Sequence, residues 1–456
     1  MAVVHNHKAL ISGFSWNGPA HAAARGVPVI LTYAFAEAPM PGHDRFSLVD
    51  NYFRPLSETE RQMVRDGLAM WADVSGIAFL EASPGYGDIE VGVFDLEGST
   101  AGQGAYPNQP YYLDPQGSPT LYAVSPTLHA GDIALDLRSG INMRVIAHEI
   151  GHALGLKHPH DADRGDTLSP VLDNTSNTIM SYQGERLGVL GPLDISAIQE
   201  LYGPAWSDGQ QVADWSWDRA SNTLIQIGTA ADDIIVGTAA NDIVHGNGGA
   251  DLIVTRAGND IIYVSGMDFQ VSAGEGLDFL HVDFSSSAIL DIYVNGEHRY
   301  LRSATSGYEE MKLFSVERLV YTDGTLAFDT DGNAGQAYRL YQAAFDRTPD
   351  STGLKYWIGR MDEGNTTLID IADSFLHSPE FIRTYGTSET VSNSHFVELL
   401  YLHTLGRGYD HGGYNYWVDR LESGATNRRD LLAFFSESTE NKAQVASEIN
   451  DGIWLA

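Results

Sequence analysis

The 456-residue chain contains one stretch in which residue type and spacing add up to chemistry: His148-Glu149-Ile150-Gly151-His152-Ala153-Leu154-Gly155-Leu156-Lys157-His158-Pro159. His148 and His152 are four apart, so on a helix both imidazoles project from one face and can share a metal ion. Glu149 stands beside them, placed to take a proton from a metal-bound water. Gly155 lets the chain leave the helix sharply, because only glycine enters left-handed backbone space cheaply. The turn returns His158 as a third ligand, and Pro159 blocks further helix. Three imidazoles leave zinc one open position for water, the arrangement of a catalytic site rather than a closed structural one. Two surface histidines on an ordinary core helix are the bland alternative, and Gly155 with His158 argues against it.

The elements that must hold these residues are legible around them. A helix is expected from Asn142 to Gly155. Ser57-Glu58-Thr59-Glu60 is a capping box, and the helix it opens carries Val64, Leu68 and Trp71 on one face. Downstream of the third histidine stands Thr178-Ile179-Met180-Ser181-Tyr182. The string H-E-x-x-H-x-x-G-x-x-H with a following methionine turn resembles the metzincin zinc proteases. More narrowly, residues 1–205 resemble the catalytic domain of serralysins, bacterial zinc proteases exported with RTX repeats. The similar segments are Ile11-Ser12-Gly13 with Trp16, Ile30 to Phe35, Gly131-Asp132-Ile133 before the active-site helix, and the closing helix Leu193 to Gly203.

The resemblance implies one zinc ion on His148, His152 and His158, with Glu149 as general base and Met180 as the structural Met-turn beneath the metal. It implies Tyr182 as a movable further ligand that can leave the zinc and hydrogen-bond the oxyanion. It also implies a substrate laid as an added strand along an edge near Ala101 to Tyr106. Family members usually carry a propeptide ahead of the opening segment, and little chain precedes it here. His5 or His7 reaching the zinc in a latent form is one expectation; a disordered N-terminus is the simpler one.

Composition bounds the rest. With 27 Lys+Arg against 60 Asp+Glu, the net charge is −33. That argues against nucleic-acid and anionic-membrane partners and suits a protein that binds many cations. There are no cysteines, which excludes disulfides, thiolate metal sites and cysteine nucleophiles. No apolar run approaches the ~20 residues of a membrane helix. Met1 to Lys8 lacks the cationic start and apolar core of a Sec signal peptide.

After Gly203 a boundary rich in Gly, Pro, Asp and Trp leads into a nine-residue repeat: Gly228 to Val236, Gly237 to His245, Gly246 to Val254 and Thr255 to Tyr263. The unit from Val264 to Ser272 is degenerate, with Phe269 at the aspartate position, and the phase returns in Ala273 to His281. This approximates the RTX nonapeptide of calcium-binding parallel β-helices. Two units make one coil, so Asp233 stacks with Asp251, and Asp242 with Asp260 and Asp278. Calcium ligands are expected from these five aspartates and from turn carbonyls at Gly246, Gly248, Gly258 and Gly276. Strands stack ~4.8 Å apart, where unit charges interact by roughly 3–4 kcal/mol at an effective dielectric of ~20. Each column therefore repels itself without a cation.

From about Gln336 the pattern becomes helical and duplicated. Phe345 to Trp357 matches Leu405 to Trp417, and Gly364, Phe375 and Ser378 match Gly424, Phe435 and Ser438. This resembles a domain of unknown function in bacterial surface-layer and RTX proteins. Tyr356-Trp357 and Tyr416-Trp417 read as packing more readily than as an aromatic ligand platform. Asp350 and Asp410 read equally as turn caps or as ion ligands.

Together these give a multidomain α+β chain: residues 1–205 a metzincin catalytic domain of mixed sheet plus helices, residues 206–335 a parallel β-roll with capping strands, and residues 336–456 a mostly α-helical domain with a possible C-terminal secretion signal. The expected function is that of a secreted, extracellular, calcium-dependent zinc metalloendopeptidase acting on protein or peptide substrates. The expected cofactors are one catalytic Zn2+ and several structural Ca2+. Export through type I secretion machinery and retention at the cell surface or surface layer are further expectations. The competing reading is a non-enzymatic surface protein with a vestigial protease domain.

Overall fold

The computed structural model describes residues 2–17, 26–39, 48–107, 112–113, 119–120, 130–185, 188–207, 209, 211–266, 269–295, 298–304, 310–387 and 390–456. The chain divides into two compact units, Met1–His281 with Val294–Val316 and Val282–Tyr293 with Glu317–Ala456.

In the first unit a mixed sheet runs in the order Ile77–Glu81, Val29–Phe35, Ile89–Leu96, Ile133–Asp136, Gly102–Gly104. The first four strands are parallel, and Gly102–Gly104 closes the order antiparallel to Ile133–Asp136. Val29–Phe35 is apolar but for one threonine and buried at every position, as a central parallel strand should be. Helix α1 (Glu58–Ala72) starts where the capping box places it: Ser57 Oγ accepts the Glu60 amide and the Glu60 carboxylate accepts the Ser57 amide. Its Val64, Leu68 and Trp71 are buried. Helix α2 (Met143–Ala153) is capped by Asn142 and is buried at every residue from Val145 to Ala153. The two helices touch closely at Gly67, where an added Cβ would lie 2.8 Å from Ile146. Helix α3 (Pro192–Tyr202) ends at Gly203.

The nonapeptide units form a parallel roll in the same unit. Ile234–Val236 pairs in parallel with Asp251–Val254, and Asn241–His245 with Ile261–Val264, each residue facing the one eighteen further on. Two apolar strands per coil, one in each sheet, fill the interior, where Ile235, Ile253 and Val271 on one side and Val244, Ile262 and Leu280 on the other are fully buried. The degenerate unit keeps its place: Phe269–Ser272 pairs with Asp251–Val254, and Phe269 is buried opposite Asp251. Its Met267 and Asp268 lie outside the described residues. The roll joins the catalytic sheet through a small cluster of Ile30, Ala78 and Leu224.

The second unit is mostly helical and duplicated. Helices begin at Asn333, Ser351, Leu368 and Pro379, then again at Asn393, His411, Arg428 and Thr439. Asp350 and Asp410 each cap a helix by accepting a glycine amide at 2.7 Å, Gly353 and Gly413 respectively. Trp357 packs on Phe375, and Trp417 on Phe435. Tyr356 and Tyr416 face solvent, so only the tryptophan of each pair is packed. Buried Arg339 in the first copy binds Glu437 in the second at 2.7 Å. Among the described residues no helix is long and apolar enough to cross a membrane.

Candidate active site

Helix α2 presents His148 and His152 on one face, and Gly155, at φ +97°, turns the chain back. An added Cβ on Gly155 would lie 2.3 Å from the Phe14 carbonyl, so only glycine fits both the angle and the space. The chain then delivers His158 to the same point. Its Nε2 stands 3.2 Å from His148 Nε2 and 3.1 Å from His152 Nε2. The other ring nitrogens are fixed by carbonyls: His148 Nδ1 to Ile179 O at 2.8 Å, and His152 Nδ1 to Leu156 O at 2.7 Å. Both Nδ1 atoms must carry the proton to donate there, which leaves both Nε2 lone pairs directed inward. A single proton on His158 cannot satisfy two facing lone pairs and the Tyr182 hydroxyl, which lies 2.6 Å from the same nitrogen. A cation can, so the donor set fits a zinc ion. Burial lowers the pKa of His148 and His158 to about 4, and that of His152 well below the ordinary value. All three imidazoles are therefore neutral, the form that ligates metal.

Glu149 is 6% exposed. Burial raises its carboxyl pKa to about 8, partly opposed by a hydrogen bond from the Gly104 backbone. Glycines of the edge strand make room for it: a Cβ on Gly102 would lie 2.7 Å from Glu149 Cγ, and one on Gly104 2.4 Å from the Glu149 carbonyl. That strand has no second neighbour among the described strands, so its outer edge offers unpaired backbone groups beside the histidines. Tyr106, just past the strand, packs edge-on against His152.

Met180 is fully buried, its sulfur 2.6 Å from where a Cβ on Gly151 would stand. The turn passes directly beneath α2. Sequence reasoning missed what fixes it. Asp194, fully buried, accepts from Thr178 Oγ1 at 2.5 Å, the Ile179 amide at 2.7 Å and the Gly191 amide at 2.7 Å. Its signal was present: Pro192-Leu193-Asp194 puts an acid in the first turn of a helix. His7 pairs with Glu200 rather than approaching the triad, and Asn6 caps the short helix His7–Leu10, so the N-terminal stretch is ordered.

In the roll, the Asp233 amide donates to the Asp251 carboxylate at 3.1 Å, that of Asp242 to Asp260 at 2.8 Å, and that of Asp260 to Asp278 at 2.9 Å. Asp242, Asp260 and Asp278 are fully buried; Asp251 is nearly so. Asp233 is more open and takes the Thr229 amide at 2.6 Å. Burial and the neighbouring carboxylates push Asp260 far above the usual carboxylate range, and burial does the same to Asp242. One oxygen of Asp242 and one of Asp260 are buried with no hydrogen-bond partner, a donor set that fits hard cations. Gly248, Gly258 and Gly276 take positive φ in the turns, and the Gly246 amide bonds Tyr263 O.

Residues 43–203 match the family model described as Matrixin, residues 227–262 the RTX calcium-binding nonapeptide repeat (4 copies), and residues 332–381 and 372–445 a domain of unknown function, DUF4214. Relatives include a serralysin of Photorhabdus laumondii, 31% identical over 225 residues, which are 44% of this chain and 44% of that protein. Serralysin G of Dickeya chrysanthemi is 30% identical over 247 residues, 48% of this chain and 47% of the relative. A metalloprotease AprA of Pseudomonas entomophila is 28% identical over 205 residues, 38% and 39% of the two chains. The chain thus spans less than half the length of the relatives it matches. The similarities mark a matrixin-type metalloprotease domain and calcium-binding repeats, so the implied cofactors are zinc and calcium.

Proposed function

We propose that this protein is a serralysin-like zinc endopeptidase, secreted and calcium-dependent. The observation that carries the reading is the convergence of three neutral imidazoles beside a buried carboxylate, next to an open strand edge. His148, His152 and His158 hold the metal. Zinc, when bound, supplies a Lewis acid that acidifies water and polarises the scissile carbonyl. The remaining steps belong to the chain.

The edge Gly102–Gly104 pairs with the substrate backbone as an added strand. Glu149 takes one proton as water oxygen adds to the carbonyl carbon, then passes it to the amine that leaves. Burial favours the protonated carboxyl and so suits delivery of the proton to the amine, while the charge of a bound zinc ion would keep Glu149 ionised beforehand, as a base must be. Tyr182, 57% exposed, has a phenol held above its ordinary pKa by partial burial and by Glu149. It therefore keeps its proton and donates a hydrogen bond to the developing oxyanion. In the roll, the five aspartates with the turn carbonyls at Gly246, Gly248, Gly258 and Gly276 bind calcium. Extracellular location, type I export and retention at a cell surface through the duplicated helical unit belong to the same proposal, on the strength of the repeats.

The test is direct. Full-length protein with calcium and one equivalent of zinc should hydrolyse casein, and 1,10-phenanthroline should stop it. Stoichiometric zinc without hydrolysis of casein or of a peptide library would leave the vestigial reading in its place.

A further inference from the structure

The second position of the repeat takes left-handed backbone in three units: Asn247 at φ 65°, Arg256 at φ 70° and Gly274 at φ 104°. Arginine is an unusual occupant of that conformation. Its side chain leaves the roll and enters the catalytic sheet. Arg256 Nη1 donates to Asp88 Oδ1 at 2.6 Å, Nη2 donates to the Trp16 carbonyl at 2.9 Å, and the guanidinium lies 4.8 Å from the Trp16 ring centroid. The pair is buried, with side-chain exposures of 13% and 1%. The other Asp88 oxygen accepts the Thr32 amide and hydroxyl, so the anchor is fixed in the sheet.

Trp16 in turn holds the end of the active-site helix. Its indole nitrogen donates to Ala153 O at 2.8 Å, and its amide donates to Tyr202 Oη, which donates to Leu154 O at 2.9 Å. The segment before Trp16 lines the turn that carries the third ligand: Ser12 N bonds Gly155 O at 3.0 Å, and Lys157 N bonds Leu10 O at 2.7 Å. On the roll side, the Arg256 carbonyl accepts the Glu275 amide of the next coil at 3.0 Å, and Asp260 stands four residues on in the same unit.

We propose that Arg256 is a positioning residue through which calcium-ordered turns of the roll hold Trp16, and with it the turn that delivers His158. This rests on reading the histidine triad as the zinc-peptidase centre. A guanidinium can reach Asp88 and Trp16 only when its own turn is fixed, and that turn is fixed by the coil stacked on it. Calcium bound in the roll thereby tightens a metal site to which it contributes no ligand.

The experiment uses the full chain as wild type, Arg256→Gly, Arg256→Lys and Arg256→Gly/Asp88→Asn. Arg256→Gly suits the left-handed backbone, and the double variant also removes the carboxylate left buried without its partner. Calcium titrations followed by circular dichroism should show roll folding unchanged in all four. In wild type, calcium chloride should slow zinc loss to a chelator; in Arg256→Gly and in the double variant that protection should vanish. At saturating calcium and stoichiometric zinc, kcat on a fluorogenic peptide should fall on the order of tenfold or more in both, with KM little changed. Arg256→Lys should recover part of each effect. Unchanged zinc retention and kcat in Arg256→Gly would overturn the proposal. Should that variant fail to fold, Asp88→Asn puts the same question from the other partner. If wild type hydrolyses no peptide, the peptidase reading fails, while the zinc-release comparison still decides the role of Arg256.

Discussion

Asp194 and Ile179 are joined by a 2.7 Å hydrogen bond from the Ile179 amide to the Asp194 carboxylate, and the carbonyl of the same Ile179 holds His148 Nδ1. A carboxylate outside the histidine cluster thus sets the tautomer and tilt of His148 through the backbone of a single residue.

That carboxylate gives a pH prediction. Burial raises the Asp194 pKa to about 6, against three hydrogen bonds that lower it. The unfolded value is near 3.9, so the folded state retains the proton better. The associated stability is complete below about pH 4 and is lost as pH rises through about 6. Relative to Asp194→Asn, which does not titrate, wild type should lose on the order of 2–3 kcal/mol of unfolding free energy between pH 4 and 7. Urea denaturation of both proteins across that range checks it, and parallel pH profiles would remove Asp194 as the source.

Glu149→Ala should keep one zinc per chain and lose peptide hydrolysis by at least about a hundredfold. Both quantities are read on one sample by metal analysis and a peptide assay. Near wild-type turnover would show that another group takes the proton.

Tyr182→Phe should lower kcat by about 10² while KM changes little, because the hydroxyl acts mainly on charge that develops in the transition state. A change confined to KM would make Tyr182 a substrate-binding residue instead.

Chelator should leave the roll largely disordered, and calcium should restore β-structure over a cooperative range. Asp251→Ala with Asp260→Ala should move that range to higher calcium, because it removes one carboxylate from each column. Circular dichroism across the titration measures the shift; a roll already folded at nanomolar calcium would refute the switch.

Legible in the sequence were the three clustered histidines, the carboxylate beside them, the methionine turn, the eighteen-residue stacking of the aspartates and the duplicated helical unit. Each follows from a local rule: a spacing on a helix, a glycine at a turn, a period in a repeat. The reading of Asp350 and Asp410 stayed open between cap and ion ligand, and the structure shows both as caps.

Tertiary structure alone decided the rest. That His7 turns to Glu200 instead of the triad, that Asp194 carries the methionine turn, and that Gly102 and Gly104 admit Glu149 against the edge strand are facts about segments far apart in the chain. Arg256 is the clearest case. In the sequence it is one irregular residue in an otherwise regular repeat unit, Thr255 to Tyr263; its partners Asp88 and Trp16 lie far upstream. No periodicity encodes such a contact, because it exists only once the sheet, the opening segment and the roll have folded against one another.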